Sequence, residues 1–152
     1  MDIIIRSATE RDAAELCRLN TLFNEVTDVS PETIALSIRD NGQERVFVAE
    51  CGNRLIGFCC TQLFKSFCYN RNSAEITELF VEESYRRKGV ATELMSLAER
   101  YYSDKYIDNF RLLTGDHNIS AQSFYESLGY LKTDEIMYEK EFPNRDNGSL
   151  PL

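Results

Sequence analysis

The spacing of apolar residues changes period at Arg86. Before it, Ile76-Thr77-Glu78-Leu79-Phe80-Val81 reads as a strand. After it, Val90, Leu94, Leu97, Ala98 and Tyr101 recur at i, i+4, i+7, i+8 and i+11, the stripe of an amphipathic helix. A strand that runs into a long helix through a short glycine-containing turn implies a layered fold, with that helix laid on the sheet.

The rest of the chain agrees. Ile3 to Arg6 reads as a first strand, and Thr9 as a helix cap with Asp12 in a capping-box position. Ala13, Leu16, Cys17, Asn20 and Phe23 share one helical face. Ser30-Pro31 opens a second helix lined by Ile34 and Ile38, and Asp40-Asn41-Gly42 closes it. Strands near 45–51 and 54–64 are joined by a hairpin turn at Gly52-Asn53. Residues 66–73 read as a loop, and a strand follows from Ala74 to Val81. A strand from Phe110 to Thr114, a helix from Asn118 to Leu128 ended by Gly129, and a last strand from Ile136 to Phe142 complete the order β-α-α-β-β-β-α-β-α-β. That order predicts an α/β (α+β) fold, a mixed sheet with helices on both faces. It predicts a single domain over 1–142 and a flexible polar tail over 143–152.

Composition narrows the function. A chain of 152 residues, 43% hydrophobic, can bury a core without metals or disulfides. Seventeen basic against 25 acidic residues leave −8, which argues against a sequence-independent nucleic-acid binder. The same charge is compatible with a cationic substrate and equally with an ordinary soluble surface. No apolar run approaches a membrane span, and the stretch Ile3-Ile4-Ile5 is too short for a signal peptide. The five cysteines have no CxxC spacing and read as reduced, mostly buried thiols, so the expected location is cytoplasmic. Motifs for nucleotide hydrolysis, dinucleotide binding, zinc proteolysis and serine hydrolysis are all missing, and no metal is expected.

The chemistry concentrates between Val81 and Thr92. Arg86-Arg87-Lys88 is a basic run in an acidic chain, placed at the start of a helix. The first turn of a helix offers unpaired N–H groups and the positive end of its dipole. Gly89 lets an anion approach the backbone, and Ala91 keeps the mouth open. The alternative is a charged loop with a solvated basic patch. Basic residues at a helix N-terminus oppose the dipole, which weakens that alternative.

Arg86-x-x-Gly89-x-Ala91, preceded by the strand Ile76 to Val81, resembles the acetyl-CoA pyrophosphate motif of the GNAT superfamily of N-acetyltransferases. Asn118-x-x-Ala121-x-x-Phe124-Tyr125-x-x-Leu128-Gly129-Tyr130 is similar to the family's second signature, in family order. The opening Ile4-Ile5-Arg6-Ser7-Ala8-Thr9-x-x-Asp12 is similar to its first strand and helix start. The resemblance covers residues 3 to about 142. It implies a mixed, mostly antiparallel central sheet and direct transfer of acetyl from acetyl-CoA to a primary amine on a small molecule, protein or peptide. It implies that the N–H groups from Arg86 through Arg87, Lys88, Gly89, Val90 and Ala91 to Thr92 hold the pyrophosphate, with looser charge from the basic side chains. It implies that Leu79, Phe80 and Val81 pair with the pantetheine arm along a bulged, splayed strand. Asn118, Ala121 and Phe124 would contact the cofactor. Tyr125 would be the general acid that protonates the CoA thiolate.

Glu78 is an anomaly in an apolar strand, expected on one face with Ile76 and Phe80, and it matches the family's usual base position. Glu75, a water chain, or mere binding of the substrate's ammonium are the alternatives. The acceptor pocket is expected from the 21–31 loop, the 65–73 loop and the final strands, with Glu25, Asp28, Glu75 and Glu78 favouring a cationic amine such as a polyamine or aminoglycoside. A non-catalytic acetyl-CoA-binding module is the other reading of the same motifs, and a homodimer is left open.

Overall fold

The computed structural model describes residues 2–25 and 28–143, so nearly all of the expected 143–152 tail lies outside the described residues. The sheet has five strands: β1 (Ile3–Ser7), β2 (Glu44–Cys51), β3 (Arg54–Phe64), β4 (Asn72–Val81) and β5 (Ile107–Leu112). They lie in sequence order. The three pairings from β1 to β4 are antiparallel, and β4–β5 is parallel. A parallel neighbour needs a crossover, and helix α3 (Val90–Tyr102) supplies it. Helices α1 (Ala13–Asn24) and α2 (Pro31–Asp40) cover one face; α3 and α4 (Ile119–Ser127) pack on the other.

Local chemistry explains the element ends. The Thr9 backbone N–H donates to Asp12 at 2.7 Å, closing the capping box before α1. Arg6 clasps Asp12 through two hydrogen bonds of 2.8 Å and reaches Glu50 as well, tying β1, β2 and α1 together. The Arg6 guanidinium holds the Asp12 carboxyl below the usual carboxylate range. Ser30 accepts from Thr33 N–H at the start of α2, with Pro31 behind it. Gly52 and Asn53 both take positive φ, 56° and 65°, which matches the twist of a two-residue hairpin.

Two cores result. Phe47, Ile56, Cys59, Ile76, Leu94 and Met95 fill the α3 side. Leu16, Leu19, Val48, Leu55 and Phe58 fill the α1 side. Tyr102 is 1% exposed, and its hydroxyl meets that of Thr61 at 2.7 Å, so this phenol is buried with a partner. Among the described residues no helix is long and apolar enough to cross a membrane.

One expected element is absent. Ile136 to Phe142 forms no strand and pairs with nothing among the described residues. The chain leaves α4 as an arm without helix, turn or bend, and a strand needs an edge that this arm does not reach. The strand expected at Phe110–Thr114 also begins earlier, at Ile107, because Asn72 opposite it already pairs.

Candidate active site

Strand β4 organises the site through an irregularity. Cys60 lies opposite Glu78, but Thr61 lies opposite Ile76, so Thr77 is an extra residue on β4. An extra residue reverses the alternation of side chains beyond it. Ile76 therefore points into the α3 core, while Phe80 packs on the α1 side and Glu78 opens into a cavity there. This corrects the expectation that Glu78 shares a face with Ile76. The Thr77 hydroxyl holds the bulge by contacting the Cys60 carbonyl and a Glu78 carboxylate oxygen.

The bulge also ends the pairing with β5. The β4–β5 ladder covers Asn72 to Ile76 and stops, so the β5-side edge of Thr77–Val81 has no strand partner among the described residues. Along that edge Leu79 packs toward the α3 core, and the Phe80 ring packs against Phe58 and Phe23 at centroid distances of 5.8 and 5.4 Å. Gly57 lets β3 approach the same stretch: a Cβ there would stand 2.8 Å from the Phe80 carbonyl oxygen. The result is an open backbone edge, held at a fixed height by its antiparallel neighbour.

At the end of β4 the chain turns into α3. Glu82 pins this turn: its N–H donates to Ile56 O at 2.9 Å, and its carboxylate meets Arg18 at 2.6 Å and Arg54 at 3.2 Å. Gly89 caps α3 at φ 81°, with no side-chain cap, and nothing lies within 4 Å of where its Cβ would be. Val90 is 3% exposed, so only its backbone faces the opening; Ala91 and Thr92 are half-buried. The basic side chains behave differently from a phosphate clamp. Arg86 Nε donates to Val81 O at 2.8 Å, with its guanidinium 5.8 Å from the Phe80 ring centroid. The Lys88 ammonium lies 5.3 Å from the Tyr85 ring centroid. Arg87 is exposed, with φ 60°. An open helix mouth whose charge comes mainly from backbone N–H groups suits an anion.

Helix α4 carries the second signature. Asn118 caps it, its side-chain oxygen accepting from Ala121 N–H at 3.1 Å. Ala121, Phe124 and Tyr125 are half-buried, and the Tyr125 ring lies 5.3 Å from Phe124 and 6.2 Å from Tyr130. Burial pushes the Tyr125 phenol above its ordinary pKa. Tyr130 donates to Glu99 at 2.8 Å and ties α4 to α3, a packing role.

The cavity beside Glu78 measures about 290 Å³ and opens between α1, α2 and the sheet. Asn20, Asn24, Thr33 and Ser37 line its walls. Its floor is Glu44, Cys60 and Glu78, whose ligating atoms all lie within 4.8 Å of one another. Burial, and then the nearby Glu78, raises the Glu44 carboxyl. Burial also pushes the Cys59 thiol up to about 12 and the Cys60 thiol well above its ordinary range. Both thiols are therefore protonated at neutral pH and poor nucleophiles.

Of the segments expected to frame an acceptor, only the one around Asn24 and Val29 lines this cavity; the 65–73 loop and the 136–142 stretch do not. Helix α2 and the start of β2 close the space instead. Glu25 and Asp28 are exposed and away from the lining, and Glu75 pairs with Arg111 at 3.2 Å. Glu44 and Gly57 were missed by sequence reasoning. The alternation Glu44, Val46, Val48 does carry a signal, since it sets Glu44 on the face that Val48 buries.

The model of the acetyltransferase (GNAT) family matches residues 13–130, and the chain belongs to that family. The uncharacterized N-acetyltransferase CT2212 of Chlorobaculum tepidum is 28% identical over 143 residues, which is 92% of this chain and 83% of that protein. N-acetyltransferase family 8 member 2 of Rattus norvegicus is 27% identical over 61% of this chain, which spans only 41% of its length. Among solved structures, AAC(6')-Iy in complex with the bisubstrate analogue CoA-S-monomethyl-acetylneamine superposes with a TM-score of 0.81. It is 19% identical and covers 94% of this chain and 100% of that one, a likeness of fold.

Proposed function

We propose that this chain transfers the acetyl group of acetyl-CoA directly to a primary amine of a cationic acceptor. The observation that carries the reading is the bulge at Thr77. It frees the Thr77–Val81 edge for the pantetheine arm and turns Glu78 into a separate cavity. Cofactor and amine then approach one strand from two sides.

Acetyl-CoA lies with its pyrophosphate on the N–H groups of the Gly89 turn and the first turn of α3. A backbone N–H near Phe80 or Val81 faces the thioester oxygen as it gains charge. Glu78 accepts a proton from the substrate ammonium, directly or through water. The neutral amine attacks the thioester carbon, its nitrogen gives up a second proton to water, the C–S bond breaks, and Tyr125 delivers its proton to the departing thiolate and regains one from solvent. The raised Tyr125 pKa supports this role, because the phenol keeps its proton at working pH. The protonated thiols of Cys59 and Cys60 support direct transfer over an acyl-cysteine route.

Two adjacent carboxylates at the cavity floor support a cationic acceptor. An ammonium placed between Glu44 and Glu78 relieves both burial and like-charge repulsion. Polyamines and aminoglycosides are the classes to screen first, by thiol release from acetyl-CoA. Calorimetry on Gly89→Glu tests the cofactor half: the added carboxylate enters the pyrophosphate space, and affinity should fall at least about a hundredfold, ~2.7 kcal/mol. Wild-type affinity in that variant removes the cradle. Acetyl-CoA binding without release of thiol to any amine would favour a binding module over an enzyme.

A further inference from the structure

The acids expected to favour an acceptor with many charges do not meet in the cavity. Glu25 and Asp28 are exposed and off its lining, and Glu75 is paired with Arg111. Among the described residues, Glu44 and Glu78 are the acidic residues on that lining, and their oxygens lie within 4.8 Å of each other. They form one negative locus, not two. Neither pairs with a lysine or arginine among the described residues, whereas the other sheltered carboxylates do: Asp12 and Glu50 meet Arg6, and Glu15 and Glu82 meet Arg18. The floor of the cavity lacks one positive charge.

Strand register sets what surrounds that locus. Val46 lies opposite Cys60 and Cys60 opposite Glu78, so these three share one row across the α1 side of the sheet. The next row is Val48, Phe58 and Phe80, all apolar. Leu16 of α1 and Ile34 and Ile38 of α2, the last two one turn apart, close the walls. The polar groups on those walls, among them Asn20, Asn24 and Ser37, are neutral, and the Asn24 amide already donates to the Asn20 side-chain oxygen at 2.6 Å. The cavity is charged at one point and apolar or neutral elsewhere. Its volume of about 290 Å³ has room for roughly ten groups the size of a water molecule.

We infer that the acceptor is a primary monoamine, with one ammonium between Glu44 and Glu78 and a compact apolar stem that fills the rest of the cavity. The inference rests on the reading that this cavity receives the amine. An ammonium carries N–H donors and no acceptor, which suits two carboxylates at its side. The stem gains from leaving water, about fourfold in affinity per methylene group buried. A second ammonium on the same molecule, as in a polyamine or an aminoglycoside, gains nothing comparable. Within the cavity it would face isoleucines and neutral amides, and an ammonium taken out of water without a counter-charge is costly. Of the cationic amines to be screened, those that bring one charge into the cavity should rank first.

Calorimetry on the full chain in the presence of CoA tests this without turnover. Hexylamine and pentane-1,5-diamine have the same number of non-hydrogen atoms and differ by a methyl group exchanged for an ammonium. Hexylamine should bind at least about tenfold more tightly, and affinity should climb about fourfold per methylene from propylamine to hexylamine. Ser37→Asp places a further carboxylate on the wall and should cut the preference for hexylamine about tenfold. Equal or tighter binding of the diamine to wild type, a flat alkylamine series, or no binding of any amine would each overturn the inference. The wild-type series decides even if Ser37→Asp fails to fold. Alkylamines that bind in the expected order but release no thiol from acetyl-CoA keep the inference and contradict the acetyl-transfer reading. Thiol release that is faster with the diamine does the reverse.

Discussion

Glu44 and Glu78 share one small cavity, and the proposed transfer uses only Glu78 as a base. The burial that raises Glu44 makes its charged form costly in the absence of a cation. The folded state therefore holds that proton more firmly than the unfolded chain. Its favourable contribution is present at low pH and is lost as pH rises through the folded pKa. Glu44→Gln removes that loss, so its Tm should exceed that of wild type at pH 8 and converge with it near pH 5. The same variant should raise the KM for cationic acceptors about tenfold, ~1.4 kcal/mol, as one of two ammonium partners disappears. Scanning calorimetry at both pH values and steady-state kinetics check the two halves separately. At Tyr125 the reasoning runs the other way. The phenol is half-buried and stays protonated, so Tyr125→Phe should leave acetyl-CoA affinity intact while slowing turnover by about 10²–10³-fold. Single-turnover acetyl transfer is the decisive readout, since an unslowed chemical step rules out the acid role. Tyr125 could be picked out because its motif is local in sequence. For Glu44 the alternation with Val46 and Val48 gives only its face; that it meets Glu78 across β3 is set by strand register.

At the scale of elements, the Thr77 bulge separates what sequence can show from what it cannot. The helix caps at Thr9 and Ser30, the Gly52-Asn53 turn and the Gly89 turn are written in short-range chemistry, and the structure places them within a residue or two of expectation. Bulges depend on the opposing strand. The resemblance implies a bulge in this strand, but nothing in Ile76-Thr77-Glu78 itself announces that Thr77 is the residue β3 skips. Glu78 is therefore conspicuous in the sequence, while the face it occupies is not. Gly57 belongs to the same class, because its role is visible only once β4 lies against it. A methyl group there would stand 2.8 Å from the Phe80 carbonyl oxygen, so one of the two backbones must shift to admit it. Gly57→Ala should cost about 1–3 kcal/mol, the usual range for overpacking. Thermal melts should then show Tm lower by roughly 3–10 °C for a chain of this size. Acetyl-CoA affinity should weaken as well, because displacing Phe80 shifts its neighbours Leu79 and Val81 on the pantetheine edge. Unchanged melting and affinity would show that β3 and β4 have slack there.

For the whole molecule, the layered order of elements was legible from apolar periodicity alone, and the sheet with helices on both faces follows it. The last strand was legible as a pattern but not as a pairing. Ile136 to Phe142 has strand alternation, yet a strand is a relation between two stretches of backbone, and no described stretch pairs with it. The net charge of −8 finds local meaning in the cavity, where Glu44 and Glu78 collect negative charge against one strand. The claim that joins these scales is that the β4 bulge delivers Glu78 to the acceptor amine as its base. The most direct measurement is kcat/KM from about pH 6 to 10 for wild type and Glu78→Gln with one accepted amine, a range that spans deprotonation of amine and base. Wild type should show a rising limb, and the Gln variant should be strongly slowed near neutral pH and recover much of its rate at high pH, where the amine is already neutral. Superimposable profiles for the two proteins would contradict the account.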